Sequence, residues 1–159
     1  IMPNQTAKVQ FNVFLENEVV DYEQVNENFE KLDAMALCIE SGEKTASYSG
    51  GTSGNATWRY KKYSDGTIEL YTKLEFENLK CDGGAAFPYY SGTATVMFPI
   101  QLLEVHDVQI HMASSTVGWI CDVTDKNVLD NVRFKIISTT HETTGVYKQV
   151  FVNVKGRWN

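Results

Sequence analysis

The stretch Trp58-Arg-Tyr-Lys-Lys-Tyr-Ser-Asp-Gly-Thr-Ile-Glu-Leu-Tyr71 constrains this chain more than any other. Two alternating runs flank Asp65-Gly66, a dipeptide that tolerates the positive φ angles of a type I′ turn. Ile68, Leu70, Leu74 and Phe76 share one face of the outgoing strand, while Glu69, Lys73 and Glu75 share the other. The pattern predicts a β-hairpin.

More strands are predicted downstream, separated by turn residues. Ala85 to Tyr90 and Thr93 to Phe98 are divided by Ser91-Gly92, and Pro99 ends the second. Val105 to Ala113 and Val117 to Val123 follow, then a polar break at 124–127. Val132, Phe134 and Ile136 alternate with Arg133 and Lys135, and Val150, Val152 and Val154 alternate with Gln149, Phe151 and Asn153. Seven or eight short strands without βαβ spacing predict a mainly β chain with an antiparallel β-sandwich, jelly-roll-like head over 58–159. The Gly/Ser/Thr stretch 47–57 reads as a linker ahead of it.

Residues 1–46 read differently. Val9, Phe11 and Val13 alternate in an extended lead-in. Tyr22, Val25, Phe29, Leu32, Ala36 and Ile39 are then spaced three and four apart, an a/d seam. Asp21 stands as N-cap and Gly42 as C-cap of a helix about 30 Å long. Such a helix packs on its own domain, or it is one strand of a short parallel coiled coil. The acidic outer face favours the coiled coil, and the seam residues are then its oligomerisation residues.

Charge narrows the function classes. Residues 1–43 carry nine acids against two lysines, whereas 44–159 carry eleven acids against twelve bases. Neither part has the basic stripe that phosphate backbones or anionic membranes require, which argues against both partners. No apolar run approaches the roughly 18–20 residues of a membrane span, and the first ten residues lack a signal-peptide core. Cys38, Cys81 and Cys121 are an odd count without a close pair, read as buried free thiols of a chain that folds in a reducing cytoplasm.

Motifs for catalysis are not found. His106 and His111 are five apart, which places them on opposite faces of a strand, and His141 stands alone in a loop. The acid pairs Glu104/Asp107 and Asp122/Asp125 read as turn residues. The expectation is a non-enzyme with no cofactor, no metal and no catalytic residue. Aromatics remain: Phe87-Pro88-Tyr89-Tyr90 and Trp119 neighbour glycine or serine, and exposed aromatic faces bind sugars and protein partners. Tyr89, Tyr90 and Trp119 are therefore the candidate ligand-binding residues. Trp58 and Tyr60 are assigned to hairpin packing.

The segments DYEQVNENFEKLDA (21–34), SGGTSGNATWRYKKYSDGTIELYTK (49–73) and VFVNVKGRW (150–158) resemble a known family. It is the C-terminal neck-and-head region of bacteriophage and prophage tail fibre or baseplate receptor-binding proteins of Gram-positive hosts. There a helix resembling N-x-NFEKL precedes a hairpin resembling W-x-Y-x-K-W-S-D-G-T-x-E-x-W. Trp58, Tyr60, Lys62, Ser64, Asp65, Gly66, Thr67 and Glu69 match that form, with Tyr63 and Tyr71 at positions where tryptophan is frequent. The resemblance implies a homotrimer in the virion tail, made in the bacterial cytoplasm, that contacts other tail proteins and a host surface glycan or protein. The alternative is a structural trimerisation component of the virion without ligand binding.

Overall fold

The computed structural model describes residues 4–5, 12–13, 23, 25–28, 37–50, 53–114, 117–122 and 128–159. It separates into two units, Ile1–Leu37 and Cys38–Asn159. In the first, strands β1 (Asn4–Gln5) and β2 (Asn12–Val13) pair antiparallel. Glu23 and the residues 25–28 are helical, with Val25 half-buried. Of the expected seam, Tyr22, Phe29, Leu32 and Ala36 lie outside the described residues.

The second unit is mainly β. It comprises β3 (Cys38–Ser49), β4 (Gly54–Tyr63), β5 (Thr67–Cys81), β6 (Tyr89–Tyr90), β7 (Ala94–Met97), β8 (Glu104–Ser114), β9 (Gly118–Asp122), β10 (Asn131–Ser138) and β11 (Glu142–Arg157). All nine join one curled antiparallel sheet, in which β10, β7, β3, β4, β5, β11 and β8 are successive neighbours. β6 shares one edge of β10 with β7, and β9 pairs with the opposite edge. The strands are thus hydrogen-bonded into a single sheet, not into two separate ones. Its two ends, β8 and β9, are successive in the chain. The four steps from Ser114 to Gly118 allow at most about 14 Å between them, which holds the curl together.

Alternation along each strand sets the inside. On β5, Ile68, Leu70, Leu74 and Phe76 are buried, while Glu69, Tyr71, Lys73 and Glu75 are exposed. Val132, Phe134 and Ile136 of β10 and Val150, Val152 and Val154 of β11 face the same core. Trp58 is fully buried and meets Phe98 edge-on at 5.9 Å between centroids. Phe76 makes edge contacts with Tyr48 at 5.6 Å and Phe134 at 6.5 Å. Such edge-to-face pairs add specificity to area burial.

The hairpin forms as the sequence predicts, but its turn is one residue longer. The Gly66 N–H donates to the Tyr63 carbonyl at 3.1 Å, and β4 and β5 end and begin at Tyr63 and Thr67. Gly66, the last residue of the loop, takes a positive φ of 85°, as in a three-residue loop built on a type I turn with its last residue left-handed. Asp65 Oδ1 accepts from the Thr67 N–H at 2.9 Å and the Thr67 hydroxyl at 2.6 Å, which holds its carboxyl below the usual range.

Three expectations are corrected. Ile39 is not a helical seam residue but lies in β3 with 57% of its surface exposed, and Gly42 is not a C-cap but pairs with Tyr60. The stretch 47–57 is not a linker, because Ser47–Ser49 ends β3 and Gly54–Thr57 begins β4, with Tyr48 opposite Gly54. The β unit consequently begins at Cys38 and not at residue 58. For Ile39 and Gly42 the physical reason is shared. Residues 38–45 are exposed on both faces, so no alternation marks the strand. The thiols differ too: Cys81 is buried, but Cys38 and Cys121 are exposed.

Candidate functional site

The site is built across β10. Its even residues, Val132, Phe134, Ile136 and Ser138, point into the core, so Lys135 and Ile137 point out. Ile137 stands opposite Tyr90 of β6 on one edge and opposite Trp119 of β9 on the other. Directly paired residues share a face, and the three form an outward row spanning about 10 Å at the usual strand spacing. Trp119 is 44% exposed and Tyr90 41%. Phe87, exposed by 60%, meets Trp119 at 6.3 Å with its ring inclined 66°. Lys135 places its ammonium 5.1 Å from the Tyr90 ring centroid, within cation–π range.

Backbone contacts hold the row in place. The Tyr90 N–H donates to the Gly83 carbonyl at 3.1 Å, and the Gly83 N–H donates to the Tyr90 carbonyl at 3.0 Å. The Tyr90 ring lies so close to Gly83 that a Cβ there would meet it at 2.5 Å, which requires glycine. Next along the chain, the Ser91 N–H donates to the Ile136 carbonyl at 2.9 Å, and the Ile136 N–H donates to Ser91 Oγ at 3.0 Å. Ser91 is buried, an internal fastener for its exposed neighbour Tyr90.

Two of the three expected site residues, Tyr90 and Trp119, come together on this face. Tyr89 does not. It pairs with Ser138 on the inner side, is half-buried against the core, and stacks on His141 at 4.7 Å. His141 also sets Nε2 3.3 Å from the Asp82 carbonyl. Ile137 and Lys135 belong to the face and were not singled out from the sequence. Parity along β10 would have found them, because they are odd positions between buried even ones.

The remaining candidates stay apart. His106 lies at a bulge where β8 and β11 shift register, 3.3 Å from Glu104. His111 is roughly 16 Å further along at the ordinary rise per residue, so distance separates the two histidines whatever their faces. Asp125 lies outside the described residues. Among the described residues no three His, Cys, Asp or Glu side chains gather as metal ligands.

One titratable cluster is internal. Lys148 and Glu142 pair at 2.9 Å with both side chains almost wholly buried. The Ser138 hydroxyl donates to Glu142 Oε1 at 3.0 Å, and the Thr140 N–H donates to Ser138 Oγ. The nearby Cys81 thiol donates to the Ile136 carbonyl, and burial, helped by the Glu142 charge, raises its pKa to about 11. A thiol so placed is protonated and inert as a nucleophile. No known protein family, curated protein or solved structure matches the chain.

Proposed function

We propose that this chain is a non-enzymatic, tail-associated receptor-binding protein of a phage or prophage. Its β unit would contact a host cell-surface glycan or protein through the face made by Trp119, Ile137, Tyr90 and Phe87. The observation that carries the binding part of the reading is this outward face, with Trp119 and Tyr90 exposed on the two strands that flank β10 and the exposed Phe87 ring against Trp119. Rings exposed in this way offer apolar area for sugar C–H faces or for a protein hot spot, and Lys135 adds a hydrogen-bond donor beside them. The tail setting rests on the resemblance of the hairpin and the helical segment. In that setting a homotrimer multiplies weak single sites into firm attachment.

The test is binding of the intact protein to host cells and to a glycan array, alongside Trp119→Ala and Tyr90→Ala. Loss of binding in both variants, with unchanged melting, supports the reading. Undiminished binding in both sinks it. Light scattering on the same samples measures the trimer separately.

A structural virion role without ligand binding is favoured by a different observation. Ile39 is exposed by 57% at the start of the β unit, where a neighbouring tail subunit would cover it.

A further inference from the structure

A second surface lies on the outer face of β3, β4, β5, β11 and β8. There the strands run in a continuous register. Glu43 pairs with Arg59, Arg59 with Tyr71, Tyr71 with Asn153 and Asn153 with Gln109. One step along, Lys61, Glu69, Lys155 and Asp107 form a parallel row. A groove of about 630 Å³ runs over both rows, inside the size range of ligand sites. Five strands at about 4.8 Å spacing give it a length near 19 Å, enough for several sugar units end to end.

The charges in this groove answer one another. Lys61, Glu69, Lys155 and Asp107 alternate in sign across directly opposed positions, where opposite charges attract. Arg59 and Glu43 form an ion pair at 3.1 Å. The three cations and three anions lining the floor balance, so it has no net charge to draw a charged ligand and favours an uncharged one. What remains for recognition is polar and neutral. Tyr71 is 38% exposed. Gln109 gives one amide hydrogen to Asp107 at 2.9 Å and keeps its amide oxygen for a partner. The Asn153 amide, half-buried between Tyr71 and Gln109, has two donors and an acceptor to offer.

We propose that this groove is a binding site for a linear, uncharged oligosaccharide, with Tyr71 as its stacking ring and Asn153 and Gln109 as its hydrogen-bonding groups. The inference goes beyond the aromatic face on β9, β10 and β6 and does not depend on it, since the two surfaces share no residue. The ligand chemistry follows from one apolar ring beside neutral amides in a groove whose charges are already compensated.

The experiment is chemical-shift mapping by NMR on the full chain. The probes are linear neutral tetra- to hexasaccharides of glucose, galactose, rhamnose and N-acetylglucosamine, with an acidic uronic-acid oligomer and an extended neutral peptide as comparators. The expected result is that a neutral sugar moves resonances of Tyr71, Asn153 and Gln109. Tyr71→Ala and Asn153→Ala should each weaken binding about tenfold, equivalent to ~1.4 kcal/mol, while Tyr71→Phe and Trp119→Ala retain it. Tyr71 points outward, so its removal leaves the fold intact, and a melting curve checks this. If no neutral sugar moves those resonances, the proposal is overturned. Preference for the acidic oligomer or the peptide overturns it equally. Shifts confined to Trp119 and Tyr90 would overturn it while supporting the aromatic face.

Discussion

Trp58 and Trp119 are the same residue in opposite circumstances. Trp58 is wholly buried on the inner face of β4, and Trp119 is 44% exposed on the outer face of β9. Both sit in strands of one continuous sheet. Their fates are set by strand parity: the partner of Trp58 is Thr72, in line with Leu70 and Leu74, whereas the partner of Trp119 is the outward Ile137. The difference teaches that aromatic content measures the material for a core and a site together, and only the register sorts one from the other. An inner ring holds the fold. An outer ring leaves apolar area in water, where a partner can cover it.

The widest separation between the two faces is expected at Trp58→Ala. Removing a fully buried indole leaves a cavity beside Phe98 and costs about 3–5 kcal/mol. Denaturant unfolding measures it, and a cost below about 1 kcal/mol would break the inner–outer distinction at its root. Lys148→Met belongs to the same face. It strands the Glu142 carboxylate and is expected to cost about 3–5 kcal/mol, while Glu142→Leu combined with Lys148→Met recovers most of that loss. If the double variant is no better than the single one, the pair is not held by charge compensation.

That buried pair also marks how far the sequence can be read. The alternation of β5, β10 and β11 is visible because a sheet with one dry face writes a period of two into its strands. Glu142 and Lys148 break that rule: each is a charge on a buried position, made tolerable by their mutual contact together with the Ser138 hydroxyl. A linear sequence carries no sign of such a contact six residues apart across bulges in β11. β3 is hidden for the opposite reason, since both of its faces are wet over 38–45 and either period fits. For the aromatic face, Tyr90 and Trp119 were within reach from their residue types. Tyr89 was not separable from Tyr90 without knowing which of the two faces the core.

A pH measurement sharpens the inner face further. The Cys81 thiol has its pKa raised from 9.0 to about 11, chiefly by burial. The folded chain therefore holds a proton that the unfolded chain gives up first, so stability is full below pH 9 and falls as the pH rises toward 11. Melting curves across that window should decline more steeply for the native chain than for Cys81→Ala. Equal slopes would mean that Cys81 is not the group responsible. At the hairpin the expected effect is of similar or smaller size. Gly66→Val forces a β-branched residue to a φ of 85° and should cost about 1–3 kcal/mol, read as a lowered unfolding midpoint. Gly66→Asn, which tolerates that region, should cost less.

The smallest effect on stability is expected at Trp119→Ala, and it bears most directly on function. Trp119 already exposes nearly half its surface, so truncation forfeits little burial. Its ring contact with Phe87 is an edge arrangement at 6.3 Å, and such pairs are worth about 0.5–1.5 kcal/mol. The backbone pairing of β9 with β10, from Gly118 to Asp122, does not involve the side chain. Stability should therefore change by about 1 kcal/mol or less. Under the proposed receptor-binding reading, binding to host cells should fall at least tenfold, because an exposed indole is the kind of residue that carries interface energy. Trp58→Ala should instead lose binding only to the extent that it unfolds the chain. If Trp119→Ala destabilises by about 3–5 kcal/mol, the outer ring is structural, its exposure is covered in the assembled protein, and the aromatic row belongs to an interface between subunits.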